Sequence, residues 1–132
     1  MSYIKLNGRS FDADVSIENY NRNFNVLDGE NAGRSMNGRM IRDIIGTYIG
    51  YKIRVFRRLG NYAGLDEFWD FLVAHSVDDS VMLEACDGQR TISFEAYYTS
   101  ASQDLERVSK SGINYWGAIE VNFIPMNAQV KP

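Results

Sequence analysis

A chain of 132 residues with 45% hydrophobic and 23% charged residues has the composition of one folded globular domain, long enough to bury a real core. Its formal net charge of −3 leaves no electrostatic footprint for nucleic acid or an anionic membrane, although Arg54, Arg57 and Arg58 form a local basic cluster. One cysteine, Cys86, excludes an intrachain disulfide, and one histidine, His75, cannot by itself complete a His/Cys metal site.

The opening MSYIKLNG has no charged segment followed by an apolar one, so no signal peptide is expected there. No apolar run approaches the roughly 18–20 residues that a membrane span needs. These features predict a protein made and kept in a reducing cytoplasm, with neither nucleic-acid sequence recognition nor a membrane partner.

In chain order, Tyr3 to Leu6 and Arg9 to Phe11 flank Asn7-Gly8, the favoured pair for a two-residue type I′ hairpin turn. That register sets Ile4 opposite Phe11 and Leu6 opposite Arg9. Val15 and Ile17 then alternate with polar neighbours, as a half-buried strand should. The apolar phase slips before Tyr20, Phe24 and Val26, which predicts a bulge or bend near Glu18–Asn19. Residues 27–39 read as a glycine-rich loop, with Gly29, Gly33 and Gly38 beside Asn31 and Asn37. From Arg39 to Arg58 the β-branched and aromatic content favours one long bent strand or two strands, although Ile41, Ile44 and Ile45 also match a helical face. Gly46 and Gly50 suit bends or bulges in a strand.

Leu65, Phe68, Trp69, Leu72 and Val73 stand at helical spacing and predict an amphipathic helix over roughly 65–75, with Asp66 and Glu67 in its first turn. Its aromatic stripe reads as the face that covers a sheet. Val81 to Cys86 and Gln89 to Tyr98 form a hairpin about Asp87-Gly88, which would pair Leu83 with Ile92 and Val81 with Phe94. Ser100 to Gly112 reads as a polar loop. Tyr115 to Phe123 is the last strand, with Tyr115, Ile119, Val121 and Phe123 on one face; Pro125 ends it, and 126–132 reads as a loose tail. The sum is a single domain over 1–132, mainly β: a β-sandwich or barrel of about six to eight strands with one packed α-helix.

Candidate chemistry is sparse. Gly33 to Gly38 has the glycine spacing of a phosphate loop, but it lacks the Lys-Ser/Thr and leads into a strand. The pairs Asp12/Asp14, Asp28/Glu30 and Asp78/Asp79 lack calcium-loop spacing and read as turn and surface carboxylates. His75 reads as a cap on the helix carbonyls. Cys86 would need a fold to bring His75 to it before the two could act as a nucleophilic pair. No catalytic residue, cofactor site or metal site is predicted, and the chain is not read as an enzyme.

Leu27 to Tyr48, LDGENAGRSMNGRMIRDIIGTY, resembles small tail-associated proteins encoded by phages and prophages of Gram-positive bacteria, in its LDGENAGR, G-R and RDIIGTY pieces. Phe68-Trp69, the ISFEAY stretch at 92–97, and Tyr115-Trp116-Gly117 leading to the VNFIP stretch at 121–125 extend the resemblance over nearly the whole chain. These motifs are structural, and they do not specify a position along a tail. The resemblance implies a virion structural protein of a long, non-contractile tail, in the distal-tail or baseplate region, with a tail-tube-like β fold and a flanking helix. It implies assembly into a ring of copies of itself, usually a hexamer, in contact with adjacent tail proteins, first in the bacterial host cytoplasm and then in the virion tail.

In such rings an extended loop reaches over a neighbouring subunit, and sheets line a channel. The candidate inter-subunit loop here comprises Asp28, Gly29, Glu30, Asn31, Gly33, Arg34, Met36, Asn37, Gly38 and Arg39. The fuller distal-tail proteins carry a second domain that these 132 residues lack, so no receptor-binding or carbohydrate-binding role is implied. The alternative is a cytoplasmic accessory or binding protein, either a tail-assembly chaperone or a small-ligand barrel with a pocket lined by Tyr48, Tyr97 and Trp116.

Overall fold

The structure is a computed structural model in which residues 4–11, 15–30, 33–34, 38–60 and 62–131 are described. Strands β1 (Ile4–Leu6) and β2 (Arg9–Ser10) make the expected hairpin, with Leu6 paired to Arg9. Asn7 and Gly8 carry φ of +52° and +84°, the left-handed geometry that a type I′ turn demands. Strand β3 (Val15–Asp28) is followed by two short strands, β4 (Gly33–Arg34) and β5 (Met40–Ile41), which pair with each other. Strand β6 (Ile44–Arg57) then returns antiparallel along the whole of β3. The β3–β6 register shifts between Ile17 and Asn19, where the sequence changes its apolar phase. That bulge lets Val15 and Tyr20 both turn toward the core side.

Helix α1 runs Tyr62–Ala74 and so begins earlier than its apolar stripe suggested. Asp66 and Glu67 therefore lie beyond the first turn, which holds no acidic residue, and the expected charge–dipole support lapses. Leu65, Phe68 and Leu72 are buried and Trp69 partly so, but Val73 is 55% exposed. The helix lays a narrow i, i+3, i+7 stripe on the sheet, and Val73 falls at its outer margin. Phe11, just after β2, meets Phe68 of the helix edge-on at 4.9 Å. His75 does not cap the helix carbonyls; its Nδ1 lies 2.7 Å from Asp78 Oδ2, while Ser76 Oγ donates to Val73 O.

Strands β7 (Val81–Asp87) and β8 (Arg90–Tyr97) form the predicted hairpin with the predicted faces but a different register. Leu83 pairs with Phe94 and Ala85 with Ile92, so the turn is Gly88-Gln89 and not Asp87-Gly88. Gly88 alone takes positive φ, +63°, the pattern of a type II′ turn with glycine at its first central position. A two-residue slip preserves the period-2 alternation, which is why the faces survive it.

Residues Ala101–Val108, expected as a loop, form strand β9. Its sequence is too polar to read as a strand, because it is a mostly exposed edge that gains its place by pairing with β10 (Asn114–Pro125) through two register shifts. Ile119, Val121 and Phe123 of β10 are buried on the face expected for them.

Among the described residues, eight strands join in one antiparallel sheet with order β2-β1-β7-β8-β10-β6-β3, and β9 pairs the second edge of β10. Strand β10 joins the two halves: its centre pairs β6, while Ile124 and Pro125 pair Tyr97 and Ala96 of β8. The halves close over one apolar core, where Ile4, Leu6, Leu83 and Ala85 on one side meet Tyr51, Ile53, Val55 and Phe123 on the other, all with no exposed surface. The fold is thus mainly β with one helix packed against it.

Candidate functional site

The β3–β6 hairpin is longer than the core it covers. Its inner half, Val15 to Tyr20 against Ile53 to Arg57, lies over the buried cluster. Its outer part, from Asn23 to Asp28 against Ile44 to Gly50, runs on for about 20 Å, and every β3 residue from Asn21 to Leu27 is exposed. Cross-strand partners share a face, so Phe24 and Val26 stand beside Ile49 and Thr47, with Ile45 next along the strand. Phe24 is 67% exposed, Ile45 48% and, on β5 at the tip, Ile41 52%. These exposed apolar side chains lie along the outer part of the hairpin.

Three devices hold the hairpin out. At its base, Asp87 is buried to 8% exposure; Arg22 Nη1 donates to its Oδ1 at 2.7 Å, and Arg90 Nε to its Oδ2 at 3.2 Å. The Arg22 hydrogen bond, helped by Arg90 and opposed by burial, holds the Asp87 carboxyl below its ordinary pKa. Tyr51 OH lies 3.4 Å from Asp87 Oδ1, and burial followed by the Asp87 charge pushes the phenol well above its ordinary pKa. The Cys86 amide donates to Tyr20 OH at 2.9 Å, which ties β3 to β7 a second time.

Along its side, the C-terminal segment, expected to be loose, is fastened to the hairpin by an isolated bridge between Val130 and Thr47. Thr47 N–H donates to Val130 O at 2.9 Å and Gln129 N–H to Thr47 O at 3.1 Å. The Gln129 side-chain amide satisfies both Ile49 N–H and Ile49 C=O, each at 2.9 Å, in place of a peptide group. Gly46 permits this approach: a Cβ there would lie 2.5 Å from Ala128 Cβ and 2.9 Å from Val130 O.

At its tip, Arg42 Nε donates to Asp28 Oδ1 at 2.9 Å and Gly29 N–H to Asp43 O at 2.6 Å. The Asp28 hydrogen bond raises the Arg42 pKa further. Arg34 Nη1 reaches Gly38 O at 3.0 Å, and Gly38 takes φ +85°.

The predicted loop residues Asp28, Gly29, Glu30, Gly33, Arg34, Gly38 and Arg39 therefore gather at this tip, with Asp28 as the last residue of β3 and Gly33–Arg34 paired in β4. Asn31, Met36 and Asn37 lie outside the described residues. Sequence reasoning missed Arg22, Asp87 and Gln129. Asp87 read as half of an Asp-Gly turn, and only the fold brings Arg22 to it across 65 residues.

Other candidates do not converge. Tyr48, Tyr97 and Trp116 pair with Asn25, Ile124 and Leu105 in three separate parts of the sheet, and Trp116 is exposed. Cys86 and His75 flank opposite ends of β7. Among the described residues no cluster of three or more His, Cys, Asp or Glu is placed to hold a metal, and no helix is long and apolar enough to cross a membrane.

No protein-family model matches the sequence, and no curated protein matches it. In three dimensions the chain is similar to SPP1 Dit (gp 19.1), a protein described as a paradigm of the hub adsorption apparatus in phages that infect Gram-positive bacteria. The TM-score is 0.50 at 9% identity, over 94% of this chain and 49% of that one. The chain thus spans about half the length of SPP1 Dit. At so low an identity the likeness is one of fold alone.

Proposed function

We propose that this chain is a non-enzymatic structural protein of a phage tail, of the distal-tail or baseplate region, that assembles into a ring of its own copies and contacts adjacent tail proteins. The observation that carries the reading is the protruding β3–β6 hairpin with its apolar strip, a shape that gains stability only when a second surface covers it. The sequence resemblance and the shared fold with SPP1 Dit support the tail assignment. In this reading the tip from Asp28 to Arg39 reaches over the neighbouring subunit, and the hairpin strip is buried between copies. The mechanism is geometric, since surface is removed from water as the ring closes.

Immunogold labelling of particles from an induced source strain tests the placement. Gold at the tail tip is the expected result; gold along the shaft moves the protein to the tube. Protein detected in the lysate with no gold on particles favours the accessory-protein reading instead. Native mass spectrometry of the purified chain tests the ring. Deleting Asp28–Asn37 is expected to abolish incorporation into tails, and unchanged incorporation removes the loop from the mechanism.

A further inference from the structure

We infer that the cleft between the base of the protruding hairpin and the β7–β8 turn receives the α1–β7 corner of a second copy of this chain. The inference rests on the ring reading above and names the surfaces that meet. The cleft, of about 680 Å³, is lined by Arg22, Phe24 and Ile49 of the hairpin and by Asp87, Gly88 and Arg90 at the β7–β8 turn. Asp87 faces both arginines, so the site carries two cations against one buried carboxylate and remains positive. The Arg90 side chain is 77% exposed, and Phe24 is the most exposed aromatic residue on the hairpin. The occupant that suits it has an apolar side chain beside acidic groups on a convex support.

The corner between α1 and β7 has that composition. Val77 is 89% exposed, and Asp78 and Asp79 follow it, both exposed. The corner is held in shape before any contact. Ser76 Oγ caps Val73 O at 2.6 Å, Asp78 N–H donates to His75 O at 3.1 Å, and the His75 ring lies on Phe71 with centroids 4.3 Å apart. A preformed convex element loses little freedom on docking.

Topology then decides that the contact is between copies. Strand β7 starts at Val81, just after the corner, and ends at Asp87, in the cleft. Its length, roughly 20 Å, separates the two surfaces as the opposite ends of one rigid strand. A corner cannot reach the cleft of its own chain. Complementary surfaces at opposite ends of a subunit join head to tail, and a head-to-tail contact closes into a ring when its rotation permits. Val77 would lie against Phe24 and Ile49, and Asp79 against Arg90, which places this contact at the base of the same hairpin whose tip extends toward the neighbour.

The test uses the full chain and reads its oligomeric state by native mass spectrometry and sedimentation, with circular dichroism to confirm folding. Asp79→Arg and Arg90→Glu are each expected to weaken self-association at least about tenfold, through like charges brought together. The double variant, with the pair reversed, is expected to regain it. Val77→Lys, at an 89% exposed position that leaves the fold untouched, is expected to weaken association in the same way, and it decides the matter if Arg90→Glu fails to fold. Rings that form unchanged in Asp79→Arg and Val77→Lys overturn this contact and leave the ring reading standing. A wild-type chain that is monomeric at every concentration overturns both.

Discussion

Replacing Asp87 by Asn probes the junction on which the protruding hairpin stands. The substitution keeps the shape and removes the charge that Arg22 and Arg90 share. Hydrogen bonds to an ionised partner contribute about 1.5–3 kcal/mol each when buried, but the Arg22 and Arg90 side chains are 52% and 77% exposed and recover water on losing their partner. The net loss is therefore set near one such bond, about 1.5–3 kcal/mol at neutral pH. The pH dependence follows from the lowered Asp87 pKa. A carboxyl whose folded pKa lies below its unfolded one contributes stability that is fully present above the unfolded value, and that contribution is lost as pH falls through the folded value. The gap between wild type and Asp87→Asn should thus be full at pH 7 and close in acid, where both side chains are neutral. Urea denaturation followed by fluorescence at a series of pH values measures it. Equal stabilities at pH 7, or a gap that persists unchanged through the acid range, would refute the account of Asp87 as a charged pin.

Other substitutions separate folding from assembly. Gly46→Ala drives a methyl group into Ala128 and the Val130 carbonyl, and should cost about 1–3 kcal/mol. Hydrogen exchange should show the Thr47 and Gln129 amides losing protection; retained protection means that the C-terminal segment is not held as described. Phe68→Ala empties a buried site under Phe11 and should cost about 3–5 kcal/mol in denaturant melts, a far larger effect than any change on the exposed side of α1. Phe24→Ser removes an exposed side chain and should leave monomer stability within about 0.5 kcal/mol while weakening self-association in sedimentation experiments. A large loss of stability would mean that Phe24 belongs to the core and not to an interface.

Much of the fold is legible from short-range pattern. The Asn7-Gly8 turn, the bulge after Ile17, the alternating faces of β7, β8 and β10 and the apolar stripe of α1 are all written in neighbouring residues. Such features depend on backbone sterics and on side-chain period, which a dozen residues suffice to express. What the pattern could not give was pairing. The β7–β8 register slipped by two residues because Asp87 and Gly88 can open either of two turns, and a slip of two costs nothing in alternation. Strand β9 looked like a loop because an edge strand with exposed side chains needs no apolar signature, only a partner, and its partner β10 lies further along the chain. The pairing of the C-terminal segment was invisible for the same reason, since Gln129 and Val130 become structural only against Thr47 and Ile49.

The candidate site divides in the same way. The sequence by itself determined that residues 27–39 are a glycine-punctuated excursion between β-rich segments. Only the tertiary structure decided that the described residues of this excursion lie at the tip of a long hairpin, that Phe24 and Ile45 are exposed along it, and that Arg22 meets Asp87 beneath it. Exposure is a property of what folds over a side chain, and Phe24 carries nothing in its local sequence to distinguish it from the buried Phe123.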